Sequence, residues 1–410
     1  MELKPGYKQT EVGVLPVAWD VRDLQSLVKA GPKNGYSGRS GKDARGTPTL
    51  SLGATTSGTL LLNDETVKWL EETVDANSDL FLQSGDVLVQ RSNTLDLVGT
   101  TAVFDGPSGN YVYPDLMMRL RFIDQVTAHW FWRYANSFEG RRFFVSVAAG
   151  SSGSMPKISG EKLRAMRLPF PAIAEQRAIA EALSDVDALL EGLTRLIAKK
   201  RDLKQAAMQQ LLTGQTRLPG FRGEWEVADF GDVAAIRNSK VAASSTPVGT
   251  HCVELEGIGQ GTGRLLASAH AQGGSAKYSF KKGDVLFGRL RAYLRKYWFA
   301  SFDGVCSTEI WPLVPRNSRL LGGFLHLLVQ SPEFVDAAGV SYGTHMPRSD
   351  WSVLGRLQVK VPSLPEQAAI ATVLSDMDAE LSALEARRAK TLDIKQAMMQ
   401  ELLTGRIRLV

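Results

Sequence analysis

The chain has 410 residues, 44% apolar and 22% charged, which leaves room for roughly two to four soluble domains, each with its own core. A net charge of +5 and a pI near 9.1 favour a polyanionic partner without naming one. No apolar run is long enough to cross a membrane and MELKPGYKQTEVG lacks a signal-peptide core; two cysteines and scattered histidines exclude a disulfide framework and the common zinc motifs, so a cytoplasmic protein is expected.

The opening LPVAWDVRDLQSL, around Trp19, leads into a polar, Gly-rich stretch, GPKNGYSGRSGKDARGTP. It offers Lys33, Asn34, Tyr36, Arg39, Lys42 and Arg45 on a permissive backbone. Strand-like residues follow at Val87–Val89, Leu97–Val98, Tyr111–Tyr113 and Met118–Phe122, broken by Gly, Pro, Asn and Asp. Short helices are expected around Ala128–Ala135 and Gly323–Gln330.

From Pro171 the pattern changes. Ile179, Leu183, Val186, Leu190, Leu193 and Ile197 alternate at steps of four and three, the seam of a coiled coil. Such a helix would run roughly 35 to 40 residues, about 55 Å, and stop at Gly214. Its apolar seam needs a partner. Lys200 and Lys204 then occupy seam positions, so the last turns are read either as solvated or as a docking end carrying Met208, Leu211 and Leu212.

The whole order then repeats. RGEWEVADFGDV, around Trp225, answers the opening segment, and FKKGDVLFGR answers LQSGDVLVQR, pairing Gly85-Asp86 with Gly283-Asp284 and Arg91 with Arg289. GRLRAYLRKYW interleaves Arg289, Arg291, Arg295 and Lys296 with Tyr293, Tyr297 and Trp298, a mixture suited to phosphate and base-edge contacts, although a solvated amphipathic strand would read the same. HMPRSDW answers SMPKISG. From Pro362 a second helix carries Ile370, Leu374, Met377, Leu381 and Leu384 on its seam, then Arg388 and Lys395, then Met399, Leu402 and Leu403 before Gly405. Ser363 and Glu366 form a capping-box pattern at its start. More than half of the positions from Pro171 to Leu218 are identical to those from Pro362 to Leu409. Two copies of one body-then-helix unit are expected, their helices packing antiparallel about a pseudo-twofold axis.

Catalytic motifs are lacking. The sequence contains no GxxxxGK[ST], no GxSxG and no dinucleotide fingerprint; Pro114-Asp115 has no suitable nuclease partner, and no Asn/Asp-Pro-Pro-Tyr/Phe methyltransferase motif occurs. The chain reads as a reader and scaffold. The rivals are an enzyme that cuts or methylates DNA itself and a coiled-coil adaptor joining two protein-binding bodies.

GYKQTEVGVLPVAW, the two helices beginning P-x-x-x-E-Q and ending LLTG, the GDVL…R strands and RSNTLDLVGTTAVF together resemble the specificity subunit (HsdS) of Type I DNA restriction–modification systems. The resemblance spans essentially the whole chain. It implies an α+β fold: two globular mixed α/β target recognition domains (1–168 and 217–360) separated by two long helices (169–216 and 361–410) forming an antiparallel coiled coil. Each body would read one half of a split double-stranded DNA site, and the divergence between GRLRAYLRKYW and QRSNTLDLVG implies different half-sites. Ser92, Asn93, Ser152, Ser154, Lys157, Lys240, Thr344, His345 and Arg348 complete the candidate DNA contacts beside the residues already named. Two modification (methyltransferase) subunits would dock, with two ATP-driven restriction subunits as further partners. No catalytic, metal or cofactor site is expected on this chain; S-adenosylmethionine, ATP and Mg would sit on the partners.

Overall fold

The computed structural model describes residues 4–41, 43, 45–149, 155–242, 247, 249–270, 276–340 and 347–409. The chain divides into two compact units, and these do not follow chain order: one comprises Met1–Leu193 with Arg387–Val410, the other Thr194–Ala386. Each unit therefore contains one body, the start of one long helix and the end of the other.

In the first unit a four-stranded antiparallel sheet is built from β1 (Val28–Asn34), β2 (Val87–Gln90), β3 (Thr101–Val103) and β4 (Met117–Phe122), in the order β1-β4-β2-β3. β2 is apolar on both faces because both are covered. Val87 and Val89 point into a core with Trp130, Phe131 and Met118, while Leu88 joins Leu50, Phe104, Tyr113 and Met117 behind the sheet. The Gly-Asp pair before it is structural. Gly85 has φ +89°, and Asp86 accepts a hydrogen bond from the Gln83 backbone N–H at 2.8 Å while its other oxygen takes Arg121 at 2.9 Å.

The second unit repeats this sheet with β5 (Ala234–Ile236), β6 (Val285–Gly288), β7 (Tyr297–Phe299) and β8 (Ile310–Pro315), in the order β5-β8-β6-β7. Gly283 has φ +91°, and Asp284 accepts from the Lys281 N–H at 2.9 Å and pairs with Arg237. What surrounds the shared sheets differs. The first body adds a three-stranded sheet of Ser40–Gly41, Pro48–Leu50 and Val67–Leu70; the second adds a five-stranded sheet that includes Lys240–Val241, Lys277–Phe280 and Gly304–Cys306. The short helices form at Gln125–Ala135 and Gly322–Leu328. Two expected strands do not: Leu97–Val98 lies in a turn, with Val98 N–H on the Thr94 carbonyl, and Val112 makes only an isolated bridge to Thr49.

The long helices are α1 (Ile173–Thr213) and α2 (Leu364–Leu402). In the second unit the end of α1 packs antiparallel to the start of α2, since Lys204 meets Asp378 at 2.6 Å while Arg201 meets Glu385 at 2.6 Å. In the first unit the start of α1 meets the end of α2 through Asp187 and Lys395, 2.6 Å apart. These pairs correct the reading of the seam cations. Lys200, Lys204 and Lys395 are not simply solvated; half-buried, they pair with Glu380, Asp378 and Asp187 on the facing helix. The proposed docking end is also corrected. Leu211 and Leu212 are buried with Phe230, Ile370 and Leu374, Met208 packing beside them, and Leu402 and Leu403 are buried with Trp19, Ile179 and Leu183, with Met399 alongside. The four leucines are spent inside the units, whereas Met208 and Met399 stay half-buried at their edge.

Each unit is closed by a buried carboxylate. Glu175, 0% exposed, accepts from Trp19 Nε1 at 2.9 Å and is gripped by Arg408 through two 2.7 Å bonds. Glu366, 1% exposed, accepts from Trp225 Nε1 at 3.1 Å and from Arg217 at 2.5 and 2.6 Å. Both oxygens of Glu366 are thus taken, and the capping-box role expected of it is not its role. The neighbouring amides of Gln176 and Gln367 donate to the carbonyls of Pro171 and Pro362. Gly214 and Gly405, at φ +72° and +70°, turn the chain against the same tryptophans; a Cβ on Gly405 would stand 2.6 Å from Pro16 and 3.2 Å from Trp19.

Removing either arginine leaves an uncompensated buried carboxylate, which costs about 3 to 5 kcal/mol before allowance for the partial exposure of the guanidinium. Arg408→Met and Arg217→Met are each expected to lower the urea unfolding midpoint clearly, because the buried glutamate loses its charge partner. Arg167→Met, which breaks exposed pairs with Asp23 and Glu11, should leave the urea midpoint nearly unchanged. Equal losses for all three would sink this account.

Candidate nucleic-acid interface

Both bodies bring cationic side chains to the same corner of the shared sheet, where β2 or β6 ends. In the first body the Arg91 N–H bonds the Leu116 carbonyl just ahead of β4, and the next residue, Ser92, bridges to Lys157. In the second body the Arg289 N–H bonds the Glu309 carbonyl just ahead of β8, and Leu290 bridges to Arg348. Arg91 with Lys157, and Arg289 with Arg348, are therefore equivalent pairs. Asn34 reaches the first corner from β1, opposite Met118.

The second corner opens into a cleft of about 730 Å³ lined by Asn238, Tyr278, Arg289, Trp311, Arg348 and Trp351. The Arg289 guanidinium lies 5.0 Å from the centre of the Trp311 ring, and its Nε is buried without a hydrogen-bond partner. Arg348 grips Glu309 through both oxygens at 2.8 and 2.9 Å and holds its carboxyl below the usual range. Lys240 Nζ stands 5.7 Å above the Tyr278 ring at the rim. A planar cation on an indole, beside aromatic walls and an amide, can meet phosphate or a base edge.

The other candidates divide. Arg39, Arg45, Arg291 and Tyr293 are exposed, with Arg291 in the left-handed region at φ +52°. Lys33 is paired with Asp79 at 2.9 Å, and Arg119 and Lys33 together hold that carboxyl well below the usual range. The Tyr36 hydroxyl donates to Glu72 at 2.5 Å, a bond that raises the phenol above its ordinary value. Ser92 is buried at 1% exposure and cannot meet DNA directly. The Asn93 amide is held by Gln90 Oε1 at 2.7 Å. GRLRAYLRKYW is no strand throughout: it turns through a short 3-10 segment, Ala292–Leu294, where Arg295 donates to the Gln330 carbonyl and Lys296 to that of Leu255, each at 2.8 Å. Arg295 remains exposed and Lys296 half-buried, each keeping N–H groups beyond its one carbonyl bond. Lys42, Ser152, Ser154, Thr344 and His345 lie outside the described residues. Trp311, Trp351 and Asn238 were missed by sequence reasoning; no local motif marks them, because strand pairing alone brings them together.

The model of the Type I restriction modification DNA specificity domain matches residues 16–199 and 222–393. The chain belongs to this family: it is a Type I specificity subunit. Similar proteins include the specificity subunit of the Type I restriction enzyme MjaX from Methanocaldococcus jannaschii, 21% identical and covering 98% of this chain and 96% of the relative. The EcoDI specificity subunit of Escherichia coli is 22% identical over 77% of this chain and 75% of its own. Among solved structures, the Type I restriction–modification S subunit of M. genitalium covers 98% of both chains with a TM-score of 0.58 at 15% identity. A chain from structural work on assembly and conformational transition of the Type I system gives 0.56, also at 15%, over 96% of this chain and 99% of its own. These likenesses show the fold.

Arg91→Ala and Arg289→Ala are each expected to weaken specific DNA binding by about 1 to 3 kcal/mol and to relax selectivity in one half-site only. Lys240→Ala should instead weaken all sequences alike and lower the salt slope by about one. Affinities for half-site variants at several salt concentrations test this; unchanged affinity and selectivity in both arginine variants would remove them from the interface.

Proposed function

We propose that this specificity subunit reads a bipartite, asymmetric DNA target, one half-site per body, and scaffolds the subunits that act on it. The observation that carries this reading is a shared sheet with equivalent cationic corners, surrounded in each body by different structure. Equivalent corners place two reading heads; different surroundings let them read different bases. Two modification subunits, and restriction subunits where the system has them, would supply S-adenosylmethionine, ATP and magnesium chemistry. With Leu211, Leu212, Leu402 and Leu403 buried, docking falls to outward helix positions such as Leu196 and Leu203, exposed and seven residues apart on α1. The two helices acting together as an antiparallel coiled coil would set the distance between the half-sites.

Pure chain incubated with DNA, ATP, magnesium and S-adenosylmethionine is expected to neither cut nor methylate; intrinsic activity would return the enzyme reading. A second test concerns length. Deleting residues 192–198 together with 383–389 removes one heptad from each helix, keeps the seam in phase and spares the Asp187–Lys395 and Lys204–Asp378 pairs. Each helix loses about 10 Å, the rise of roughly three base pairs. Both half-sites should stay readable while the preferred spacer changes; a folded, binding variant with the original spacer would show that the helices do not set it.

A further inference from the structure

In the first unit Arg133 reaches from the body helix Gln125–Ala135 onto α1. It donates to Asp187 Oδ2 and, at 3.1 Å, to Ser184 Oγ, and its guanidinium lies 4.0 Å from the Trp132 ring. Lys395 takes the other oxygen, Oδ1, of the same Asp187. One carboxylate thus holds a guanidinium and an ammonium together.

The second unit repeats the serine, aspartate and lysine of this seat but not the arginine. In the repeated stretches LSDVD and LSDMD, Ser375 and Asp378 stand where Ser184 and Asp187 stand, and Lys204 takes Asp378 Oδ1 as Lys395 takes Asp187 Oδ1. The body helices also correspond. Residues 130–135 and 324–329 share one burial pattern, and each run is followed by an N-capping serine, Ser137 or Ser331. On that alignment Leu327 replaces Arg133 and His326 replaces Trp132. Leucine brings no charge to Asp378, whose side chain is 45% exposed against 27% for Asp187. In place of the guanidinium there is a cavity of about 540 Å³, lined by His326, Leu327, Ser375 and Asp378.

A second observation points the same way. Nδ1 of His326 is buried without a hydrogen-bond partner, and the ring stands 5.6 Å from Tyr297 and 5.5 Å from Phe299. Burial lowers the pKa of this imidazole to about 4, so at pH 7 the ring is neutral and sets no competing charge beside Asp378. Arg264, which also lines the cavity, is already held by Glu385 and Ser382.

We infer that this cavity is a seat for the guanidinium of an arginine presented by a partner protein, as Arg133 is presented within the first unit. A planar fork meets a carboxylate oxygen, a hydroxyl and an aromatic neighbour at once; an ammonium has no such match, and Lys204 already holds the point-charge position. The seat exists in one unit only, so a partner using it would engage the two units unequally.

The test uses the full chain with its five histidines labelled with ¹⁵N, the His326 signal being assigned through His326→Gln. Methylguanidinium chloride is titrated against methylammonium chloride at equal ionic strength, followed by short peptides carrying one arginine or one lysine. The expected result is a saturable shift of His326 with methylguanidinium and the arginine peptide alone. Asp378→Asn should weaken that binding at least about fivefold. Leu327→Arg should abolish it and raise Tm by filling the seat from within. A shift that is absent, linear, or equal with methylammonium overturns the inference, as does unchanged binding in Leu327→Arg. Should Asp378→Asn not fold, the comparison of the two cations on the unaltered chain and the Leu327→Arg titration still decide the matter.

Discussion

The buried carboxylates of Glu175 and Glu366 constrain everything else in this chain. A carboxylate removed from water needs an opposite charge and further donors, and in each unit these come from distant stretches: a tryptophan from the opening segment and an arginine from beyond the end of the other long helix. Trp19 and Arg408 both reach Glu175, so segments almost 390 residues apart in sequence meet on one carboxylate in the first unit. The repeated ending LLTG-x-x-R supplies that closure. Its leucines enter the core, its glycine turns against the tryptophan, and its arginine neutralises the carboxylate. The duplication is thus an internal requirement of the fold before it is a provision for any partner.

This arrangement leaves the bodies free to diverge. The closure and the four-stranded sheet carry the parts that match between units, down to the aspartate that caps its own turn and binds an arginine. A three-stranded sheet in one body and a five-stranded sheet in the other are added outside that frame. A specificity subunit needs such a separation, because changing the bases read must not disturb the parts that hold the units together.

The legibility of the sequence followed the range of the interactions. Heptad spacing is local, and the seam residues Ile179, Leu183, Ile370 and Leu374 are buried as their spacing requires. The glycine stops at Gly214 and Gly405 are equally local. The functions of repeated side chains were less legible. Lys204 and Lys395 break the seam, and only the facing helix shows that Asp378 and Asp187 answer them. Glu366 fits a capping box in sequence, yet Arg217 and Trp225 lie far along the chain and claim it first. The corner that joins Arg289 to Trp311 and Trp351 depends on strand order, which no short window contains.

The same reasoning bears on charge. A net +5 suggests a broad cationic surface, but much of the positive charge is already committed. Arg119 and Arg121 serve Asp79 and Asp86, Arg237 serves Asp284, and Arg217 and Arg408 serve the closing glutamates. Arg295 and Lys296 are tied to backbone carbonyls. Among the described residues, the cations at the sheet corners are the ones placed alike in both bodies, with Arg289 over an indole and incompletely bonded as the clearest member. Exposed cations such as Arg39, Arg45 and Arg291 can hold phosphate without regard to sequence, so discrimination must rest on contacts made at those corners. Cations fixed by the protein's own acids hold the frame in register, phosphate contacts then position that frame on the duplex, and only base contacts at the corners can choose among sequences.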